Sequence, residues 1–170
     1  LTHPNIVPIH DLGMSEDGAL FYAMQKVEGT PWKDVLDAKD LQENLDVLLR
    51  AADAVAFAHS RGVIHRDLKP DNIMLGDYGE VLVMDWGLAA SVRTGGKAEP
   101  LTHLSASGGT PCYMAPEMAR GDSGAIGMSS DIYLLGAILY HIVTGHPPHH
   151  GENVVQCLMN AAENVLEETP

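Results

Sequence analysis

Residues Val63 to Leu75 read VIHRDLKPDNIML. His65, Arg66, Asp67, Lys69, Asp71 and Asn72 crowd into one short stretch, with an apolar run on each side. A charge run ordinarily lies on a solvated face, yet here its flanks read as buried. The chain must therefore fold so that a hydrophobic scaffold holds a loop of opposed charges in a fixed place. The surrounding pattern says what that scaffold is made of. Ile6 to Leu12 and Leu20 to Val27 are short strand-like runs joined by the turn Ser15-Glu16-Asp17-Gly18, and Gly29-Thr30-Pro31 ends the second run. Leu41 to Arg61 carries Leu41, Leu45, Leu48, Leu49, Ala52, Val55, Ala56 and His59 at helical spacing, with Gly62 as its stop. Ile73–Leu75 and Val81–Met84 read as two small strands around a Gly76–Gly79 turn.

Further on, Ser91 to Gly109 is rich in Gly, Ser and Thr without an apolar period, and reads as a mobile loop. Ser129 or Ser130 is placed to cap a hydrophobic helix that stops near Gly145, before Pro147-Pro148. Val154 to Leu166 reads as a last amphipathic helix. A hairpin, a long helix, two small strands, a loop and further helices make an α+β order. It is not a βαβ repeat, which argues against a parallel nucleotide-binding sheet. With 170 residues, 45% hydrophobic and 19% charged, the chain has enough apolar mass for one domain with a core.

A net charge of −13 argues against nucleic acid or an anionic membrane surface as partner, because phosphate-binding surfaces are basic. Cys112 and Cys157 form no framework and no CxxC pair, so a reduced, cytoplasmic setting is the simplest expectation. No signal peptide is read. The longest apolar run, Ile132 to Val143, is interrupted by His141 and too short to cross a bilayer, so it reads as a buried helix.

The residues of the charged loop suggest their chemistry. Asp67 can take a proton from a hydroxyl nucleophile, a contribution of roughly 10²–10⁴-fold. Lys69, two positions on, points the same way in an extended loop and can neutralise a transferring phosphoryl group. Asn72 offers a neutral oxygen suited to Mg²⁺, and Asp85, after the Val81–Met84 run, supplies a second hard oxygen. A base, a cation and paired oxygen ligands fit phosphoryl transfer, where positioning and charge neutralisation dominate.

HRDLKPDN at His65–Asn72 resembles the catalytic loop of protein kinases. DWG at Asp85–Gly87 resembles the family's DFG, with Trp86 in the Phe position, and Ala115–Glu117 matches its APE. LTHPNIV at Leu1–Val7 is similar to the passage from the family's C helix into its fourth strand, and SSDIYLLG at Ser129–Gly136 to the start of its F helix. The Asp-Leu-Lys-Pro-Asp-Asn run and GTPCYMAPE at Gly109–Glu117 resemble the serine/threonine branch, and the DWG variant resembles bacterial members.

The resemblance implies an α+β, protein-kinase-like fold: residues 1–28 as an upper-lobe remnant with hinge, and residues 29–170 as a mainly helical lower lobe through the G helix. It implies ATP and Mg²⁺ as cofactors and protein Ser/Thr hydroxyls as substrates, autophosphorylation in trans included. Asp67, Lys69 and Asn72 would be catalytic, and Asn72 and Asp85 would hold the metal. The backbones of Gln25 and Val27 would meet adenine, with Met24 as gatekeeper and Met74 packing beneath. Lys69 would also face the nucleotide.

The resemblance also has Thr110 bridging Asp67 and Lys69. Arg66 would pair with a phosphorylated loop residue, for which Thr94, Thr102, Ser105 and Ser107 are candidates. His65 and Glu117 read as structural, Glu117 through an Arg partner beyond this stretch. Asp131 would brace the loop backbone. The cluster His146, His149 and His150 reads as an ordinary loop rather than a metal site, and Cys112 as inert. No G-x-G-x-x-G, VAIK-like lysine or C-helix glutamate occurs in these 170 residues, so the stretch reads as a fragment that should bind ATP poorly alone. The alternatives are a small-molecule phosphotransferase, disfavoured by Lys69 and Ala115–Glu117, and a pseudokinase-like binding scaffold.

Overall fold

The computed structural model describes residues 1–15, 20–92, 98–100 and 108–167. The expected turn at 16–18 and the candidates Thr94, Thr102, Ser105 and Ser107 lie outside the described residues. The chain opens with an antiparallel hairpin of β1 (Ile9–Met14) and β2 (Leu20–Met24). The first strand starts later than its apolar run. Ile6 and Val7 are buried in the main core instead, and Val7 N and Val83 O lie 3.1 Å apart. These two residues dock the hairpin's root onto the lower part of the molecule.

β3 (Thr30–Pro31) is a two-residue strand at the place where Gly29-Thr30-Pro31 was expected only to end the second run. It pairs with β5 (Ile73–Leu75), which pairs in turn with β6 (Val81–Val83) in antiparallel register, Ile73 opposite Val83. Proline is tolerated there because β3 is an edge strand.

Helix α1 (Leu41–Ser60) starts at a reciprocal cap. Asp40 Oδ1 accepts from Glu43 N at 2.9 Å, and Glu43 Oε2 accepts from Asp40 N at 2.9 Å. At the other end Gly62 adopts φ 70°, left-handed geometry that favours glycine, and Val92 N donates to its carbonyl at 2.7 Å. The helix exists as expected, but its buried face is rotated from the leucine stripe. The buried positions are Asn44, Val47, Ala51, Ala54, Val55 and Ala58, while Leu41 and Leu49 are 57% and 64% exposed. The reason is steric. The alanine line lets helix α3 (Met128–Thr144) pack close, so small residues face the core and large ones its margin.

β4 (Val63–Ile64) follows α1 and leads into the charged loop. It pairs with β7 (Ala90–Val92), which pairs with β8 (Ala98–Pro100). A small sheet thus occupies part of the stretch expected to be loop from Ser91 onward. Its pairing is set by the partner β4 rather than by an apolar period of its own.

The short helix α2 (Pro116–Ala119) precedes α3. Neither expected serine is the N-cap of α3; Gly127 is. Ser130 sits at the third helical position, where its Oγ accepts from Gly127 N at 3.1 Å. Gly145, at φ 81°, ends the helix as expected. α3 is only half buried: Leu134, Ala137 and Ile138 face the core, but Ile132 and Val143 are 58% and 69% exposed. Helix α4 (Val154–Glu163) stops three residues before Leu166, because Asn164 turns left-handed at φ 55°. Among the described residues no helix is long and apolar enough to cross a membrane. The core joins Trp32, Ile64, Leu68, Ile73, Leu134 and Ile138, so the charged loop is pinned between β4, β5 and α3.

Candidate active site

The loop 65–72 is positioned from below by one carboxylate. Asp131, on the first turn of α3, is fully buried. Its Oδ2 accepts from His65 N and its Oδ1 from Arg66 N, both at 2.8 Å. These bonds hold Arg66 at φ 70°, a left-handed conformation unfavourable for a non-glycine residue. His59 Nε2, at the end of α1, lies 2.8 Å from Asp131 Oδ2. Local pattern offered no signal for the His59 contact, since the two residues are 72 positions apart.

His65 is fully buried and ties the loop to Met84, the residue after β6. Asp67 N donates to its Nδ1 at 3.2 Å, which leaves the ring proton on Nε2 to donate to Met84 O at 2.8 Å. On the other side, Met84 N donates to Asn72 O at 2.8 Å. Two hydrogen bonds to Met84 therefore fix the loop against the peptide that leads into Asp85. Asp85 is itself left-handed at φ 52°, and Gly87 N lies 3.4 Å from its Oδ1. Trp86 leaves no orphan donor: its Nε1 donates to Val83 O at 3.2 Å, and the ring meets His65 edge-on, centroids 4.6 Å apart.

The Asp67 carboxylate sits at the centre. Thr110 Oγ1 donates to its Oδ1 at 3.1 Å, Asn72 Nδ2 donates to its Oδ2 at 3.0 Å, and Lys69 Nζ lies 3.2 Å from Oδ2. Lys69 Nζ also donates to Thr110 Oγ1 at 2.5 Å, so Thr110 bridges the two charged groups. Asn72 Nδ2 further donates to Asp67 O at 2.8 Å, which commits the amide nitrogen and leaves Oδ1 as its acceptor for a cation. Asn72 and Asp85 carry hard oxygens of the kind Mg²⁺ takes, and are the residues that could hold it here.

Arg66 is buried, and its Nε donates to Leu88 O at 2.5 Å. Burial holds its guanidinium below the ordinary arginine range, and Asp131 opposes that. Asp71, the remaining acid of the loop, turns outward to Lys33 Nζ at 2.8 Å and raises that ammonium's pKa. In the upper hairpin, Gln25 N donates to Pro8 O at 2.9 Å, leaving the Gln25 carbonyl as the group it can offer a ligand. Val27 is half-buried against the core, and Met74 is half-buried in β5 between Pro31 and Leu82. Glu117 accepts from Ser130 Oγ at 2.6 Å. His149 is fully buried, with ring nitrogens 2.9 Å from Tyr133 OH and from Val165 O, so it does not join His146 and His150 in a cluster. Among the described residues no group of three His, Cys, Asp or Glu could hold a metal alone.

In this α+β molecule a buried carboxylate braces a loop that gathers Asp67, Lys69 and Asn72 around Thr110, an acid, a cation and an amide in one cluster. The chain matches the protein kinase domain over residues 1–169, and it belongs to that family. It is 39% identical over 87% of its length to the serine/threonine-protein kinase PknD of Protochlamydia amoebophila. It is 36% identical over its full length to the serine/threonine-protein kinase PrkC of Bacillus subtilis. It is 41% identical, again over its full length, to the DNA damage-responsive serine/threonine-protein kinase RqkA of Deinococcus radiodurans. The chain spans 18% of PknD and 25% of each of the other two.

Proposed function

We propose that the protein carrying this chain transfers the γ-phosphoryl of ATP to Ser or Thr hydroxyls of protein substrates, its own copies included. Residues 1–28 serve as upper-lobe hairpin and hinge, and residues 29–170 as the lower lobe. The observation that carries the reading is the Asp67 carboxylate, held at once by Lys69, Thr110 and Asn72. Asp67 accepts the proton of the attacking hydroxyl, and Lys69 offsets charge on the phosphoryl group as the bond to it forms. Asn72 and Asp85 hold Mg²⁺, which when bound neutralises phosphate charge. The Gln25 carbonyl and Val27 backbone meet the adenine edge, with Met74 beneath its face. Arg66 is a desolvated cation whose partner is a phosphorylated residue of the 91–109 segment; a charge-assisted pair there would relieve the cost of its burial. The acidic chain favours protein substrates over nucleic acid.

The test is Asp67→Asn in the full-length protein, assayed with Mg-ATP and a generic protein substrate. We expect turnover to fall by about 10²–10⁴-fold while nucleotide affinity stays within a few-fold. Equal loss of turnover and affinity would contradict the base assignment, and an inactive wild-type protein with both lobes folded would leave a binding scaffold as the better account.

A further inference from the structure

The two cysteines are 45 positions apart in sequence and adjacent in space. Cys112 Sγ lies 3.7 Å from Cys157 Sγ, the second acting as donor. The same residues are tied through His149, whose backbone N donates to Cys112 O at 3.2 Å and whose carbonyl lies 3.6 Å from Cys157 Sγ. Gly151 makes this approach possible: a Cβ there would fall 2.4 Å from Cys157 N, against the backbone of α4. The cluster is not a metal site. The His149 ring nitrogens are already engaged by Tyr133 and Val165, and among the described residues no carboxylate joins the thiols in a metal-holding group.

We propose that Cys112 and Cys157 are a redox modification site, a dithiol that hydroperoxides convert reversibly to a disulfide joining the segment after Thr110 to α4. The half-buried Cys112 is the sulfur that a small peroxide reaches first, whereas Cys157 is buried. Burial, and the hydrogen bond to Cys112, push the Cys157 thiol up to about 12, so it stays protonated and donates to Cys112. In the first step the Cys112 thiolate attacks one peroxide oxygen, the O–O bond breaks, and Cys112 becomes a sulfenic acid while hydroxide leaves. In the second, Cys157 sulfur attacks the sulfenic sulfur; the S–O bond breaks, the S–S bond forms, and the departing hydroxide takes the Cys157 proton as water. The sum is two thiols plus one hydrogen peroxide giving one disulfide and two waters. The sulfurs must close from 3.7 Å to a bond of about 2.05 Å, a movement of under about 2 Å.

The bond lands next to the charged loop. Thr110, which bridges Asp67 and Lys69, lies two residues before Cys112. A disulfide would therefore restrain the backbone that presents Thr110 to that pair. This consequence for catalysis rests on the proposed kinase reading; formation of the bond does not.

The reduced 170-residue chain is treated with graded hydrogen peroxide, alkylated under denaturing conditions, digested and mapped by mass spectrometry, beside Cys157→Ser. In the wild type we expect a crosslinked peptide joining residues 112 and 157, parallel loss of both alkylated thiols, and full recovery with dithiothreitol. In Cys157→Ser, Cys112 should pass on to sulfinic acid at doses where the wild type shows none. Equal sulfinic acid at Cys112 in the two proteins, or disulfides found only between chains, would overturn the proposal. The mapping needs no phosphoryl transfer, so its failure and that of the kinase reading are separate results.

Discussion

Asp131 carries three hydrogen bonds on a fully buried carboxylate, to His65 N, Arg66 N and His59 Nε2. Two of them enforce the left-handed turn at Arg66, a conformation costing on the order of 1–2 kcal/mol for an L-residue. Asp131→Asn keeps the shape but replaces one acceptor oxygen with an NH₂ that faces a backbone donor. The unmatched donors and the lost charge should cost about 3 kcal/mol. Urea unfolding of the two proteins checks this through a lower midpoint at unchanged slope; a difference below about 0.5 kcal/mol would show that the turn does not depend on the carboxylate. At this scale, what was legible in sequence was whatever lies close along the chain. Asp67, Lys69 and Asn72 sit within six positions, and their chemistry could be argued from residue type alone. His59 beside Asp131 and Cys112 beside Cys157 could not, because a contact between distant positions leaves no local pattern.

Elements were legible where local signals agreed and were missed where a partner decided. The periodic α1 was readable from Leu41 to its stop at Gly62, but its Asp40 cap and its buried face were not, the latter because alanine adds little to an apolar pattern and a great deal to close packing. β7 and β8 escaped notice since their pairing depends on β4 and on each other. The contact between the segment before α2 and helix α3 shows how packing also sets a pH response. Tyr113 OH lies 2.6 Å from His141 Nδ1. Burial raises the Tyr113 phenol above its ordinary value of 10.0 and lowers the His141 imidazole below 6.5, the latter opposed by Asp37. Both shifts favour the neutral pair. For His141, the folded value is the lower one, so stability is full above about pH 6.5 and lost as pH falls through the folded value. For Tyr113, the folded value is the higher one, so stability is full below about pH 10 and lost as pH rises beyond it. Unfolding free energy should therefore be flat across the neutral range and decline on both sides. His141→Asn should flatten the acid limb below pH 6.5 relative to wild type; superimposable acid limbs would remove His141 from the account.

For the whole molecule, two surface properties oppose each other. The chain carries a net charge of −13, which keeps copies apart. Its helices also leave apolar side chains in solvent: Ile132, Leu139 and Val143 on α3, and Val154, Val155 and Met159 on α4. An apolar surface of this kind favours association, through a short-range attraction that salt does not screen. The charge repulsion is screened over about 30 Å at 0.01 M salt and about 3 Å at 1 M. The balance should therefore shift with ionic strength alone. At low salt, light scattering should return the 18.2 kDa monomer, and the weight-average mass should climb as sodium chloride is raised at fixed protein concentration. Ile132→Glu together with Val155→Glu adds charge and removes apolar surface at once, so it should hold the chain monomeric at salt levels where the wild type associates. A mass that falls with salt, or one that the double substitution leaves unchanged, would mean that ion pairs between copies govern association rather than the exposed faces of α3 and α4.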